Sequence, residues 1–307
     1  MNFLQPLFNI INKYIFSPIL VFFTDITGGS FAAGIFLFTL LINIALIPLS
    51  IKSQKASINQ IKMKPKLDEL KRKYGDDKQK YQAAMQKLYT EEKVSMGGGC
   101  LPMLIRMILI LSIYYLVIAP LTYLTNLSPE VIATLSETVP KAEAYRPELY
   151  LIQQAVQQQS GEVFEAIKDL SFELFGALDL TKTPEFSLSF ATLEKGQLLL
   201  WIIPIMAFVT AMFSSIISLA QQKRVNPDAP NMAGMMLTMP IISLVITFSA
   251  PAGLGFYWAC SSLIGGIIQA GVTEFYGPYK MIAKQQAKAI TTEAEKEEKY
   301  LKDKSKK

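Results

Sequence analysis

Four stretches of this chain carry almost no charge and are long enough to cross a membrane, and that constrains its fold more than any other feature. Phe31 to Ile51, Leu198 to Leu219 and Ala229 to Thr273 contain no charged residue, and Leu101 to Leu121 contains only Arg106. Each exceeds the roughly 18 residues that mark a candidate span. The last has 45 residues, which as one helix would run about 68 Å against a hydrocarbon core of about 30 Å, so it must fold back. Pro251-Ala252-Gly253 supplies the turn. Five spans follow, at residues 31–51, 100–121, 198–220, 232–250 and 253–273. The class is an all-α membrane protein.

Charge orients these spans. Residues 52–95 hold twelve Lys and Arg against six acids, and residues 274–307 hold nine against six, whereas residues 121–197 hold five against eleven. Basic loops stay inside. An odd number of spans puts both basic segments on one side, so the amino terminus is expected outside and the carboxyl terminus in the cytoplasm. Residues 122–197 become an extracytoplasmic segment, read as a small cap or ordered loop, and residues 221–231 a short cytoplasmic loop. Met1 to Asn12 carries no basic residue beyond its start, so no cleaved secretory leader is expected; Leu4, Leu7, Phe8, Ile11 and Ile15 recur at helical spacing, and residues 1–30 are expected to form an amphipathic segment lying in the interface. A sixth span is the alternative.

Within residues 52–95, Leu67, Leu70 and Tyr74 and then Tyr81, Met85 and Leu88 form two helical stripes separated by Gly75-Asp76-Asp77. An antiparallel hairpin is expected, with Pro65 opening its first helix. Its lysines are either a solvated face or a docking surface. Gly97-Gly98-Gly99 then leads to the second span. Prolines 48, 120, 204 and 240 lie in or beside spans, where kinked packing explains them.

Arg106 is the one charge inside a span. An unpaired charge in hydrocarbon costs about 2.5 to 3.5 kcal/mol on the gentler insertion scale. It lies about 9 Å into the second span at 1.5 Å per residue, and Asn43 lies about 12 Å into the first from the same side. Two readings stand: the side chain snorkels to the headgroups, or it faces a water-filled pocket shared with Asn43, with Ser50, Ser112, Ser215, Ser261, Ser262 and Gln269 as further lining. The chain has no histidine and only two cysteines, Cys100 and Cys260. Serine-histidine chemistry and histidine-ligated metals are thereby excluded, and no metal or cofactor is expected. An enzyme acting on lipid lacks its usual cluster of acids, histidine or metal.

Leu46-Ile47-Pro48-Leu49 before a lysine-rich hairpin, Lys87-Leu88-Tyr89 leading to Gly98-Gly99-Cys100-Leu101-Pro102, and Pro251-Ala252-Gly253-Leu254 with Tyr257-Trp258 together resemble the YidC membrane protein insertases, in their short, Gram-positive-like form. The resemblance runs from about Phe31 to Gln269 and implies five helices around a hydrophilic groove open to cytoplasm and lipid, in the bacterial cell membrane. It implies no bond chemistry: hydrophobic segments of nascent membrane proteins enter the groove and are released sideways into lipid. Arg106, Asn43, Ser262, Gln269 and Trp258 are then the groove residues. The family usually has its groove arginine where Asn43 stands and a glutamine where Arg106 stands, so the charge is expected to have moved to the facing wall. The resemblance also implies contact with the ribosome and the secretion channel, through the hairpin and the basic tail at 274–307, though that tail fits a solubilising role as well. No nucleic acid is expected as a partner beyond ribosomal contact through the tail. The competing classes are a small-solute transporter or channel, for which no internal repeat is visible, and a structural scaffold, which leaves Arg106 unexplained.

Overall fold

The computed structural model describes residues 5–75, 77–92, 101–186, 195–225 and 233–277, with isolated positions 280, 287, 290 and 291 beyond. In chain order its elements are α1 (Gln5–Ile11), a π turn (Asn12–Phe16), α2 (Ser17–Ile26), α3 (Phe31–Ala45), α4 (Ile47–Tyr74), α5 (Lys78–Glu91) and α6 (Leu101–Ile118). There follow α7 (Pro120–Leu124), α8 (Pro129–Glu137), α9 (Pro147–Gln158) and α10 (Glu162–Ile167), then the two-residue strands β1 (Glu173–Leu174) and β2 (Leu178–Asp179). The chain continues through α11 (Lys195–Leu200), α12 (Ile202–Val225), α13 (Ala233–Thr247) and α14 (Ala252–Tyr276). Gly97-Gly98-Gly99, Cys100 and most of the basic tail lie outside the described residues, as does much of the 221–231 loop.

Two compact units emerge. The first takes in Met1–Ala45, Leu104–Leu219 and Pro230–Ile268; the second takes in Leu46–Met103, Ala220–Ala229 and Gln269–Lys307. Among the described residues Lys195–Arg224 is by itself long and apolar enough to cross a membrane, and only 17% of its most apolar window is buried inside the protein. A core helix of a soluble protein would be covered instead; here Ile202, Ile205, Val209, Phe213 and Ile216 stand exposed along it, a surface suited to lipid. Phe31–Ala45 and Ile47–Gln54 pass the same test together, across a 42° bend. Pro48 follows Ile47 in the first turn of α4, where its missing N–H costs nothing.

At the amino terminus, Phe8, Asn12, Phe16, Leu20 and Thr24 are buried, one residue in every four. An α-helix turns about 40° too far with each such step, and the π turn takes up part of the excess, which keeps the stripe nearer to one face. Of the stripe expected from the sequence, Phe8 is buried, Ile11 is half-buried and Ile15 is 52% exposed, while Leu4 and the Leu7 side chain lie outside the described residues. Phe8 and Asn12 meet Tyr115 and Ser112 of α6, and the rest of the stripe lies on α3, where Phe16 meets Phe38 edge to face at 5.5 Å between centroids. Gly34 permits the approach, since a Cβ there would lie 2.3 Å from Thr24 Oγ1.

The segment after α6 is a folded cap. Its Ile132, Leu149, Ile152, Val163, Ile167, Phe172, Leu174, Leu178 and Leu180 are all buried. Glu173 pairs with Asp179 and Leu174 with Leu178 in an antiparallel hairpin.

In the second unit α4 and α5 pack as the hairpin expected from the sequence. Asp77 caps α5, its carboxylate accepting from the Gln79 and Lys80 amides at 3.1 Å, and Lys66 pairs with Glu92. Leu67, Leu70, Tyr74, Tyr81, Met85 and Leu88 are all half-buried. Pro65 does not open a helix: it lies inside α4, the continuous helix of this hairpin, against the expectation of a fresh start there.

Candidate functional site

Asn43 sits two residues before the end of α3 and is half-buried. Its amide donates to the Thr39 carbonyl at 2.8 Å, and Thr39 is itself buried, donating to the Ile35 carbonyl at 2.6 Å. A polar step therefore runs down one side of an otherwise apolar helix. The other end of the Asn43 carboxamide faces α14: its Oδ1 lies 3.2 Å from where a Cβ on Gly265 would be. Glycine at that position leaves room for the side chain, and a larger residue would push it aside.

On α14, Trp258, Ser262 and Gly265 recur at i, i+4 and i+7, which places them on one helical face. Ser262 and Trp258 are half-buried, and Trp258 also packs against the buried core. One residue on, a Cβ at Gly266 would lie 2.9 Å from Ser214 Oγ of α12, and a Cβ at Gly255 would lie 2.4 Å from Thr247 Cγ2 of α13. The last helix is thus approached closely by three others, and its small residues make those approaches possible.

Arg106 lies in the first third of α6, and its side chain lies outside the described residues. Gln269 belongs to the second unit. There its amide donates to Thr273 Oγ1 at 3.3 Å, Gln54 donates to the same oxygen at 2.9 Å, and Gln221 donates to the Ala270 carbonyl at 3.3 Å. This polar knot joins α4, the end of α12 and the end of α14; Gln54, Gln221 and Thr273 were not singled out from the sequence, because single glutamines and threonines near helix ends carry no pattern. Ser112 is completely buried, and its backbone carbonyl accepts the Asn12 amide at 3.1 Å. It faces the amino-terminal helix.

The cap satisfies donors that helix ends leave open. Phe31, the first residue of α3, donates its N–H to the Ser171 carbonyl at 2.9 Å, and Ser171 donates back to Gly29 at 2.8 Å. Gly29, at φ +82°, is required there: a Cβ would lie 1.8 Å from the Asp169 carbonyl oxygen. Ala252 and Gly253, opening α14, donate to the Lys182 and Leu180 carbonyls, each at 2.8 Å. Glu148 of α9 accepts from the Thr122 backbone N–H at 2.9 Å and from its hydroxyl at 2.6 Å. Burial pushes the Glu148 carboxyl above its ordinary value, and the Thr122 hydrogen bonds oppose that rise. The cap is held against the starts of α3 and α14 by backbone hydrogen bonds, against α7 by the Glu148 carboxyl, and by its own core.

The model of the 60Kd inner membrane protein family matches residues 22–277. Membrane protein insertase YidC of Fusobacterium nucleatum is 28% identical over 247 residues, which span 80% of this chain and 87% of that protein. YidC 2 of Listeria innocua is 27% identical, over 96% of this chain and 80% of that one. YidC of Rhizobium meliloti is 28% identical over 80% of this chain, but the match spans only 33% of that longer protein. The matched region takes in the helix pair carrying Asn43 and Gly265, the cap and the hairpin, and the chain belongs to the 60Kd inner membrane protein family, that of the YidC insertases.

Proposed function

We propose that this chain is a membrane protein insertase. Hydrophobic segments of nascent membrane proteins enter a groove open to the cytoplasm and to lipid, and leave it sideways into the bilayer. The observation that carries this reading is the family match over residues 22–277, which includes all five apolar segments. In this reading α3, α6, α11 with α12, α13 and α14 are the spans, residues 1–30 and the cap lie outside, and the hairpin and basic tail lie in the cytoplasm, where they meet the ribosome and the secretion channel. The groove wall comprises Asn43, Arg106, Trp258, Ser262 and Gln269.

The physical task is to lower the cost of moving polar residues through hydrocarbon, about 2.5 to 3.5 kcal/mol for each charge at a helix centre. A half-wet groove shortens the apolar path, and a fixed cation part way along it attracts acidic or polar stretches of the client. Arg106 supplies that cation from α6, while Asn43 holds the facing wall polar without charge. The closed end is the cap, whose carbonyls accept from Phe31 at the start of α3 and from Ala252 and Gly253 at the start of α14.

Replacing Arg106 by Gln is expected to abolish growth rescue in a strain depleted of its own insertase, and Asn43→Arg on that background is expected to restore it. Full rescue by the single variant would remove Arg106 from the mechanism.

A further inference from the structure

Glu143, Arg146, Lys182, Glu185, Phe186 and Phe248 line a cavity of about 690 Å³ in the first unit that the insertion reading does not use. We propose that it binds the headgroup of a phospholipid carrying both a phosphate and a primary ammonium, with the acyl chains lying along α12 and α13.

Two of the lining residues, Phe186 and Phe248, belong to an aromatic rim with Trp201. Trp201, at the junction of α11 and α12, stacks on Phe186 at 5.8 Å with a 12° interplanar angle and meets Phe248 edge-on at 5.1 Å. Its indole N–H donates to the Glu185 carbonyl at 2.9 Å. Tryptophan and its aromatic neighbours at the end of a span mark the headgroup level. Next to Trp201 and Phe248 in the chain, Ile202 and Ile205 on α12 and Val245 and Ile246 on α13 are 46% to 64% exposed, apolar surface on which acyl chains can lie.

The charges select the headgroup. Hydroxyls of Thr183 and Tyr145 accept from the Arg146 guanidinium, which also lies over the Tyr145 ring at 4.4 Å. These neutral partners aim the fork without neutralising it, leaving it suited to a phosphate. Lys182 adds a second cation, only loosely held by Asp179 at 3.8 Å. Glu143 and Glu185 contribute two carboxylates to the same lining. Two cations and two anions favour a zwitterion over a net anion, and charge around one cavity with exposed apolar residues next to its rim in the chain fits a single amphiphile better than an extended peptide, which would need backbone partners. Assignment to the outer leaflet rests on the proposed orientation; the binding does not.

The test is lipid retention by the purified full-length protein, read by native mass spectrometry. Phosphatidylethanolamine, phosphatidylcholine and phosphatidylglycerol of identical chains are supplied in parallel, with inorganic phosphate as a competitor. Phosphatidylethanolamine is expected to be retained about tenfold over the other two, and free phosphate is expected to leave it in place. Arg146→Gln with Lys182→Gln is expected to lower retention about tenfold, while Glu185→Gln erases the preference over phosphatidylglycerol and keeps phosphate-dependent binding. Should the double variant fail to fold, the Glu185→Gln arm decides alone. Equal retention of the three lipids, displacement by free phosphate, an unchanged preference in Glu185→Gln, or photocrosslinking from position 186 to nascent chains in place of lipid would each overturn the proposal.

Discussion

Glu148 is the residue with the most to lose from its surroundings. Its folded pKa is raised by burial, so its contribution to stability is fully present below the unfolded value and is lost as pH rises through the folded one. The cap is therefore expected to gain stability on acidification towards the ordinary carboxylate range, and Glu148→Gln is expected to flatten that dependence. Protection factors of cap amides, followed by hydrogen exchange between about pH 4 and 8, would reveal it. Glu148→Ala removes the acceptor for both Thr122 donors and should cost about 1 to 3 kcal/mol at the acid end of that range, and less as pH rises. Gly266 is a second sensitive position. An added Cβ would sit 2.9 Å from Ser214 Oγ and 3.0 Å from Ser214 Cβ, so Gly266→Ala should destabilise by about 1 to 3 kcal/mol. Combining it with Ser214→Gly should return part of that loss, measured as coupling in a double-mutant cycle of unfolding midpoints. Neither contact was legible in the sequence, where Glu148 is one acid among eleven in residues 121–197 and Gly266 one glycine among many.

At the scale of elements, the amino-terminal helix depends on its π turn. Deleting Tyr14 would remove the extra residue that the π turn Asn12–Phe16 accommodates, so the segment closes as α-helix and the flanking turns keep their present faces. Phe8, now buried, is then expected to stay buried: a cysteine at position 8 should remain unreactive to maleimide and one at position 10, now exposed, should stay reactive, whereas reversed reactivity would show that the turn is not a one-residue insertion. The sequence carried the apolar spacing of this helix but not the extra residue, because a π turn forms where tertiary packing rewards a shifted face. The hairpin shows the opposite case. Its turn at Gly75 and Asp77 and its two half-buried stripes were legible, since capping and periodicity are local. Pro65 misled, because a proline's effect on a helix depends on what re-satisfies the freed carbonyl.

The whole molecule is expected to place its cap and hairpin on opposite sides of the membrane. With Cys100 and Cys260 replaced, an impermeant maleimide should label Glu137→Cys in intact cells, and Gln79→Cys only after the membrane is opened; both positions are exposed. Labelling of both in intact cells would overturn the orientation drawn from the lysines and arginines.

The sequence by itself determined the helical class, the apolar segments, the fold-back at Pro251 and the family, because these depend on chain length against bilayer thickness, on local turn chemistry and on motifs in order. Tertiary structure alone decided that the last helix is approached closely by three others, that Asn43 faces Gly265, and that the cap's carbonyls and Glu148 fill the open donors at the starts of α3, α7 and α14. Those facts depend on which backbones can approach within van der Waals contact. Side chains distant in the chain set that approach, and spacing along the sequence holds no record of it.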